Sequence, residues 1–331
     1  MELSSAQKTI IKRMANGRFF SGQELAEELE VSRASIWNYL KALEKVGFEF
    51  HAVKGKGTRL KLSIELLDKQ RIISNISADR RKLLAQLDVL DVCQSTNQYI
   101  AQQHSLKSLL NGSICMAEMQ TMGRGRLGKT WVSPYGQNLY VSFLWNFKGG
   151  ISALSGLSLA CGVAVCNTLK ELGLGEHGLK WPNDILWQGK KLGGILVEIQ
   201  GESQGSYTAI IGIGINYQMS SVSSNDIDQP WVDMHKAYGG PMGRNRLAGR
   251  LIDYVLGVLD GYEQGGLSPY VEQWNTFDCY AGKKVRIISG GQYEEGVANG
   301  ISTSGELFLK MAGGKVKNIM SGEVSLRLSD G

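Results

Sequence analysis

Acidic side chains vanish from this chain for 52 residues, between Glu118 and Glu171. That gap bears on the run GRGRLG at 123–128, which fits the G-x-G-x-x-G pattern of dinucleotide-binding loops. Such a loop follows a strand, opens a helix, and is answered about 20 residues later by an acid for the ribose. The strand is there, in GSICMAEMQ. The loop is followed instead by KTWVSPYGQNLYVSFLWNF, with Ser133-Pro134 and Gly136 as turn residues and then an alternating strand-like run. With neither helix nor acid, the dinucleotide fingerprint is excluded. Long apolar stretches are also lacking: no eighteen consecutive apolar residues occur, so no membrane span is expected. The opening MELSSAQKTIIKRMANGRFF is polar and basic, without the apolar core of a secretory signal. The five cysteines show no C-x-x-C and no paired metal spacing. Reduced thiols, a cytoplasmic location and no protein-ligated metal are expected. Cys161 and Cys166 lie in an apolar helical run and read as core.

What is present begins with an uneven charge. The chain of 331 residues carries a net +5, and residues 1–62 hold 11 Lys+Arg against 7 Asp+Glu, or +4 of that total. Ile10, Ile11 and Met14 form one stripe of a first helix. Ser21 caps a second helix with Glu24 completing a capping box, and Ser32 caps a third that carries Ile36, Leu40 and Leu43 and ends at Gly47. FEFHAVKGKGTRLKLS then alternates around a Gly-rich basic tip and predicts a β-hairpin. Three helices and a basic hairpin make a winged helix-turn-helix. Arg33, Ser35, Trp37 and Asn38 lie near the start of the third helix, where base edges are read, and Lys54, Lys56 and Arg59 suit phosphates. The pattern also fits a unit that docks protein; the basic tip favours DNA.

The glycine loop interleaves Arg124, Arg126 and Lys129 with glycines on a strand–loop–strand connection. Glycine lets backbone approach a ligand closely, and guanidinium forks grip phosphate or carboxylate at two points. The acid-free stretch leaves a positive field suited to an anion such as a nucleotide; a surface hairpin with solvated arginines has the same pattern. Residues 180–198, KWPNDILWQGKKLGGILVE, read as a hairpin bringing Asn183, Asp184 and Lys191 together. QSTNQYI at 94–100 places Ser95, Thr96 and Asn97 at a strand-to-helix junction, as caps or as hydrogen-bonding groups for a polar ligand.

QSTNQYI, EMQTMGRGRLGKTW, GQNLYVS, KWPNDI, KKLGGILVE, GIGINY and SGEVSLRL, in that order, closely resemble the biotin–protein ligases, over essentially the whole length. With the winged helix ahead of them, the chain resembles the bifunctional bacterial form, which is also the biotin operon repressor. The family's loop usually reads GRGRRGRxW; here Leu127 and Lys129 stand in place of two arginines.

The resemblance implies ATP, biotin and Mg²⁺ as reactants, biotinyl-5′-adenylate as intermediate, and transfer to a lysine of a biotin carboxyl carrier domain. It implies that Ser95, Thr96, Asn97 and Gln120 surround the biotin head group, and that Gly123, Arg124, Arg126 and Lys191 line carboxylate and phosphate. Trp131, Lys180, Asn183, Asn216, Trp231 and Arg327 are implied for the nucleotide. Arg124, Arg126, Lys191 and Asp184 carry the chemistry, Asp184 orienting or deprotonating the acceptor amine. Operator DNA and a homodimer formed when adenylate is bound are the further partners. A lipoate-type ligase and a catalytically inert biotin-sensing repressor are the alternatives.

The fold expected is α+β multidomain: a winged helix-turn-helix at 1–63, a helical connector at 64–83, a mixed-sheet catalytic domain at 84–274 and an SH3-like barrel at 275–331. Apolar helices at about 153–173 and 244–265 pack on one face of the sheet. The polar stretch 218–234, QMSSVSSNDIDQPWVDM, reads as a lid with Trp231 as its clasp.

Overall fold

The computed structural model describes residues 3–148, 154–203, 206–220, 227, 229–289, 292–322 and 324–329. Local side-chain chemistry sets the first elements. Helix α1 (Ser5–Met14) buries Ile10, Ile11 and Met14, and α2 (Gly22–Glu28) starts at a reciprocal Ser21–Glu24 capping box. Helix α3 (Arg33–Glu44) starts where the Ser32 hydroxyl accepts the Ser35 amide proton. Strands β1 (Phe50–Val53) and β2 (Gly57–Leu60) pair antiparallel as the wing. Gly57 has φ +97, and a Cβ there would stand 2.2 Å from the Phe20 carbonyl oxygen, so the wing needs glycine at that place. Two short helices, α4 (Lys69–Ser74) and α5 (Ala78–Arg81), follow as the connector.

The central sheet is built from β3 (Gln86–Cys93), β4 (Ser113–Gln120), β5 (Asn138–Lys148), β6 (His177–Lys180), β7 (Asp184–Trp187), β8 (Lys190–Ser203) and β9 (Ser206–Asn216). Its order is β3-β4-β5-β9-β8-β7-β6, with β3 and β4 parallel and the other neighbours antiparallel. Alternation along each strand splits the side chains between two faces. On one face Ile114, Phe143 and Ile211 join the main core under α7 (Leu157–Glu171) and α9 (Arg244–Gly265). On the other, Cys115, Leu144 and Ile210 pack against Ile100 of α6 (Thr96–Ser105). Further along that second face the residues shrink to Ser142, Gly212, Gly214 and Gly194, and the cavity lies over the three glycines. Between β9 and α9 stands the short α8 (Met234–Tyr238).

One buried arginine ties three segments together. Arg244, fully buried at the start of α9, donates to the carbonyl of Asn138 at 2.6 and 3.0 Å and to that of Glu65 at 3.1 Å, and pairs with the Glu118 carboxylate. Glu118 in turn accepts the Leu67 amide, and Asn245 bonds Glu65 and Leu66. The connector is thereby held onto β4, β5 and α9. The winged helix also docks through Phe48 on Tyr135, ring centroids 5.3 Å apart, and through Lys8–Asp91 at 2.9 Å.

Past α10 (Val271–Phe277) the chain forms β10 (Lys284–Ser289), β11 (Gln292–Ile301), β12 (Leu307–Lys310), β13 (Val316–Ile319) and β14 (Val324–Leu328). They make a five-stranded antiparallel sheet, SH3-like, in the order β13-β12-β11-β10-β14; among the described residues its two end strands do not pair, so it is open. Trp181 anchors it. This indole is buried beside a cis Trp181–Pro182 bond and donates to the Gly305 carbonyl at 3.0 Å.

Candidate active site

A cavity of about 310 Å³ opens on the small-residue face of the central sheet, a size suited to one small molecule. Its floor depends on glycine. A Cβ on Gly214 would lie 2.7 Å from the Trp131 ring, and one on Gly212 would lie 2.4 Å from Asn97 Oδ1. Of the residues singled out for ligand contact, Ser95, Thr96, Asn97, Gln120, Arg124, Arg126, Trp131, Lys180, Asn183, Asp184, Lys191, Asn216, Trp231 and Arg327 all line this cavity. Gly123 does not. It sits behind the loop, where a Cβ would meet Ser133 Oγ and the Trp131 carbonyl at 2.5 Å each, so it permits the loop's path and offers the cavity no surface.

One end of the cavity is polar and neutral. Ser95 occupies the N-cap position of α6, but its side chain makes no capping bond. The Thr96 amide donates to Gln120 Oε1 at 2.9 Å, and the Thr96 hydroxyl to the same oxygen at 3.2 Å. Ser142, buried on β5, donates to Asn97 Oδ1 at 2.6 Å, and its oxygen lies 2.7 Å from Thr96 Oγ1. Gln120 reaches on to Ser133 Oγ at 3.1 Å, and Ser133 to the Trp131 carbonyl at 2.8 Å.

The other end is cationic. Asp184 stands between Lys191 (2.6 Å) and Lys180 (3.4 Å). Burial alone would raise its carboxyl, but Lys191 and then Lys180 outweigh burial and hold it below the usual carboxylate range. Burial pushes the Lys180 ammonium down, with Asp184 opposing. The turn Gln188–Gly189, both residues at positive φ, sets the hairpin register that brings Lys191 back beside Asp184. Lys191 Nζ also lies 5.6 Å from the centre of the Trp131 ring. Arg126 bonds Asn183 Oδ1 at 3.3 Å and the carbonyls of Ser321 and Gly322, which joins the glycine loop to the C-terminal sheet. Arg327 reaches the same chamber from β14. Leu127, where an arginine was expected, is exposed and held at φ 55, a left-handed conformation rare for such a residue.

Of the stretch expected to form a lid, residues 221–226 and 228 lie outside the described residues. Its downstream end is joined to β8: the Lys191 amide donates to the Pro230 carbonyl and the Val232 amide to the Lys191 carbonyl, each at 2.9 Å. Asn216 donates to the Val232 carbonyl at 3.1 Å, so its amide secures this junction. Lys236 Nζ lies 4.5 Å over the Trp231 ring.

The residues proposed for nucleic acid form a separate surface. Arg33, Trp37 and Asn38 are exposed on α3, and Lys54 and Lys56 are exposed at the wing tip. Ser35 is half-buried, its hydroxyl 2.9 Å from that of Ser32. Arg59 is half-buried with its guanidinium over Phe19 at 5.2 Å, closer to the domain body than the lysines. Sequence reasoning assigned no place in the site to Ser142, Ser133 or Glu198. Ser142 interrupts the apolar run YVSFLW, and Glu198 is the one acid in ILVEIQ; each interruption is a signal that was available.

Three family models match successive parts of the chain. Residues 89–216 match the biotin/lipoate A/B protein ligase family, residues 6–59 an HTH domain, and residues 280–327 the biotin protein ligase C terminal domain. The Bifunctional ligase/repressor BirA of Salmonella typhimurium is 38% identical over 330 residues, 100% of both chains. That of Escherichia coli is 37% identical, covering 97% of each. Among solved structures, the biotin protein ligase from Aquifex aeolicus in complex with biotin and ATP superposes with a TM-score of 0.63 at 29% identity. It covers 75% of this chain and 100% of its own.

Proposed function

The chain belongs to the biotin/lipoate A/B protein ligase family, in its bifunctional ligase/repressor branch, and from that membership we infer its two activities. It is an ATP-dependent biotin–protein ligase and, through its winged helix, a DNA-binding repressor. One observation carries the catalytic half: a single chamber has a neutral hydrogen-bonding end, a glycine floor and a cationic end. That sequence of surfaces suits a polar head group, an apolar chain and a carboxylate meeting a triphosphate.

ATP enters as its magnesium complex. The biotin carboxylate oxygen attacks the α-phosphorus, the bond to the β-phosphate oxygen breaks, and pyrophosphate leaves. A carboxylate is already a nucleophile, so the step needs alignment and stabilised charge rather than a base. Lys191, Arg124 and Arg126 supply that charge. The acceptor lysine amine then attacks the acyl carbon, AMP leaves, and the amine loses a proton. Because Asp184 is held below the usual carboxylate range, it is a weak proton acceptor. We therefore assign it to orienting the incoming amine. Asp184→Asn is expected to slow transfer from preformed adenylate at least about tenfold, as a lost positioning contact would. Mass spectrometry of a carrier domain, mixed with enzyme preloaded with adenylate, reads the rate. Equal rates in both proteins would remove Asp184 from the transfer step.

We further propose that adenylate-bound chains pair and that the pair binds operator DNA, since one helix-turn-helix makes few base contacts and dimers read two half-sites. Replacing Lys54 and Lys56 together by alanine is expected to weaken DNA binding at every sequence. It should also flatten the slope of log affinity against log salt by about 1.8, at ~0.9 per phosphate contact. Fluorescence anisotropy on DNA upstream of the biotin biosynthesis genes, with an unrelated duplex alongside, measures both. An unchanged salt slope would move the wing off the phosphates.

A further inference from the structure

Of the seven tryptophans, all among the described residues, Trp37 alone is exposed, at 61%. It stands in the second turn of α3, five residues after the Ser32 cap, and takes no part in the domain's core. Helix α3 gives its other side to that core, where Ile36 and Leu43 are buried. The exposed residues recur as Arg33 and Ala34, then Trp37 and Asn38, then Lys41, one face at helical spacing. Ala34 and Trp37, three residues apart, make an apolar strip along it. The Lys41 ammonium borders that strip, 5.9 Å from the centre of the indole ring and 2.7 Å from the Glu44 carboxylate. From 33 to 45 the exposed charges are Arg33, Lys41 and Lys45 against the single acid Glu44. An apolar strip in a cationic frame fits a polyanion better than an apolar protein surface. On the base edges of the major groove the apolar group is the C5 methyl of thymine, which apolar and aromatic side chains contact.

We propose that Trp37 is the residue with which this chain reads thymine, its indole laid against C5 methyl groups in the major groove of the operator. The assignment rests on the repressor reading and adds to it which base is read and by what chemistry. Arg33 and Asn38, beside the strip, supply the hydrogen bonds to neighbouring base edges. A dry contact with a methyl group displaces water and releases no counterion. Trp37 therefore contributes sequence preference and leaves the salt dependence to the lysines and arginines.

The test uses the full chain with biotin and ATP, and duplex DNA from upstream of the biotin biosynthesis genes. Deoxyuridine is placed at the thymidines of the segments the chain protects, which removes the C5 methyl and keeps every hydrogen-bonding group. Binding by the unsubstituted chain is expected to weaken about fourfold for each methyl the indole covers, and about 15-fold when both half-sites lose one. Trp37→Ala, a change at an exposed position outside the core, folds normally. It is expected to bind the thymine duplex with that same loss and to bind the uracil duplex no worse. Trp37→Phe keeps part of the preference. Affinity for an unrelated duplex, the salt slope and adenylate formation stay as they were in Trp37→Ala. An equal uracil loss in Trp37→Ala would mean that the methyl is sensed elsewhere or through DNA shape, and overturns the assignment. So does no uracil loss in the unsubstituted chain, or a Trp37→Ala protein whose sedimentation shows a lost dimer, which would give the indole to a protein contact. Absence of binding to any duplex by the unsubstituted chain removes the repressor reading itself, and the thymine contact with it.

Discussion

Lys191→Met is expected to slow biotinyl-adenylate formation by about 10²- to 10³-fold, the range for removing one charge-stabilising donor from an active site. Three observations support the proposal that Lys191 stabilises charge in that step. Its ammonium lies 2.6 Å from Asp184, it stands over Trp131, and it faces the chamber from the strand that carries Gly194. Its backbone separately holds the end of the 218–234 stretch through Pro230 and Val232. Methionine keeps those backbone bonds and much of the apolar stem, so the loss falls on the charge. Lys191→Arg is not expected to restore the rate, because a planar fork cannot replace a compact ammonium at this separation. Single-turnover pyrophosphate release at saturating ATP and biotin reads the step. A loss below about tenfold would shift charge stabilisation to the arginines.

Arg244→Met is expected to destabilise the chain by about 3–5 kcal/mol, since it leaves a buried charge uncompensated. Glu118 would lose its only ion-pair partner among the described residues, and the Asn138 and Glu65 carbonyls would lose their donor. Pairing the change with Glu118→Leu should recover part of the loss, because the cost comes from the stranded carboxylate more than from the missing attraction. The shift in urea midpoint, followed by tryptophan fluorescence, measures both variants. Since Arg244 and Asn245 also clasp Glu65, Leu66 and Asp68, the single variant should be cut faster by protease within the connector. Losses under about 1 kcal/mol would mean water relieves Glu118 and the clasp is dispensable.

What could be read in the sequence was what is decided locally. The Ser21–Glu24 box, the Ser32 cap and the turn at Gln188–Gly189 are fixed by residues within a few positions of one another, and each stands where the pattern put it. Much of the cavity set was reached through the resemblance of several motifs, far apart in sequence, to one family, and not from local pattern alone. What escaped depends on pairing across the chain. Arg244 and Glu118 are 126 positions apart, Glu198 and Asn97 101, and nothing in either neighbourhood names the other. Ser95 had the residue type of a cap, yet its side chain makes no capping bond, and the first amide of the helix, that of Thr96, bonds Gln120 on β4. Gly123 looked like a ligand contact because it stands in the loop motif; its neighbours Ser133 and Trp131 place it behind that loop.

The most direct test mixes the full chain with magnesium, biotin and ATP labelled in the α-phosphate, with lipoate in a parallel tube, and separates the products bound to protein. The expected result is biotinyl-AMP held by the chain, matched by pyrophosphate, formed from biotin and not from lipoate, and discharged as AMP when a carrier domain is added. Biotin bound with neither adenylate nor pyrophosphate would contradict the ligase assignment and leave the chamber as a sensor's.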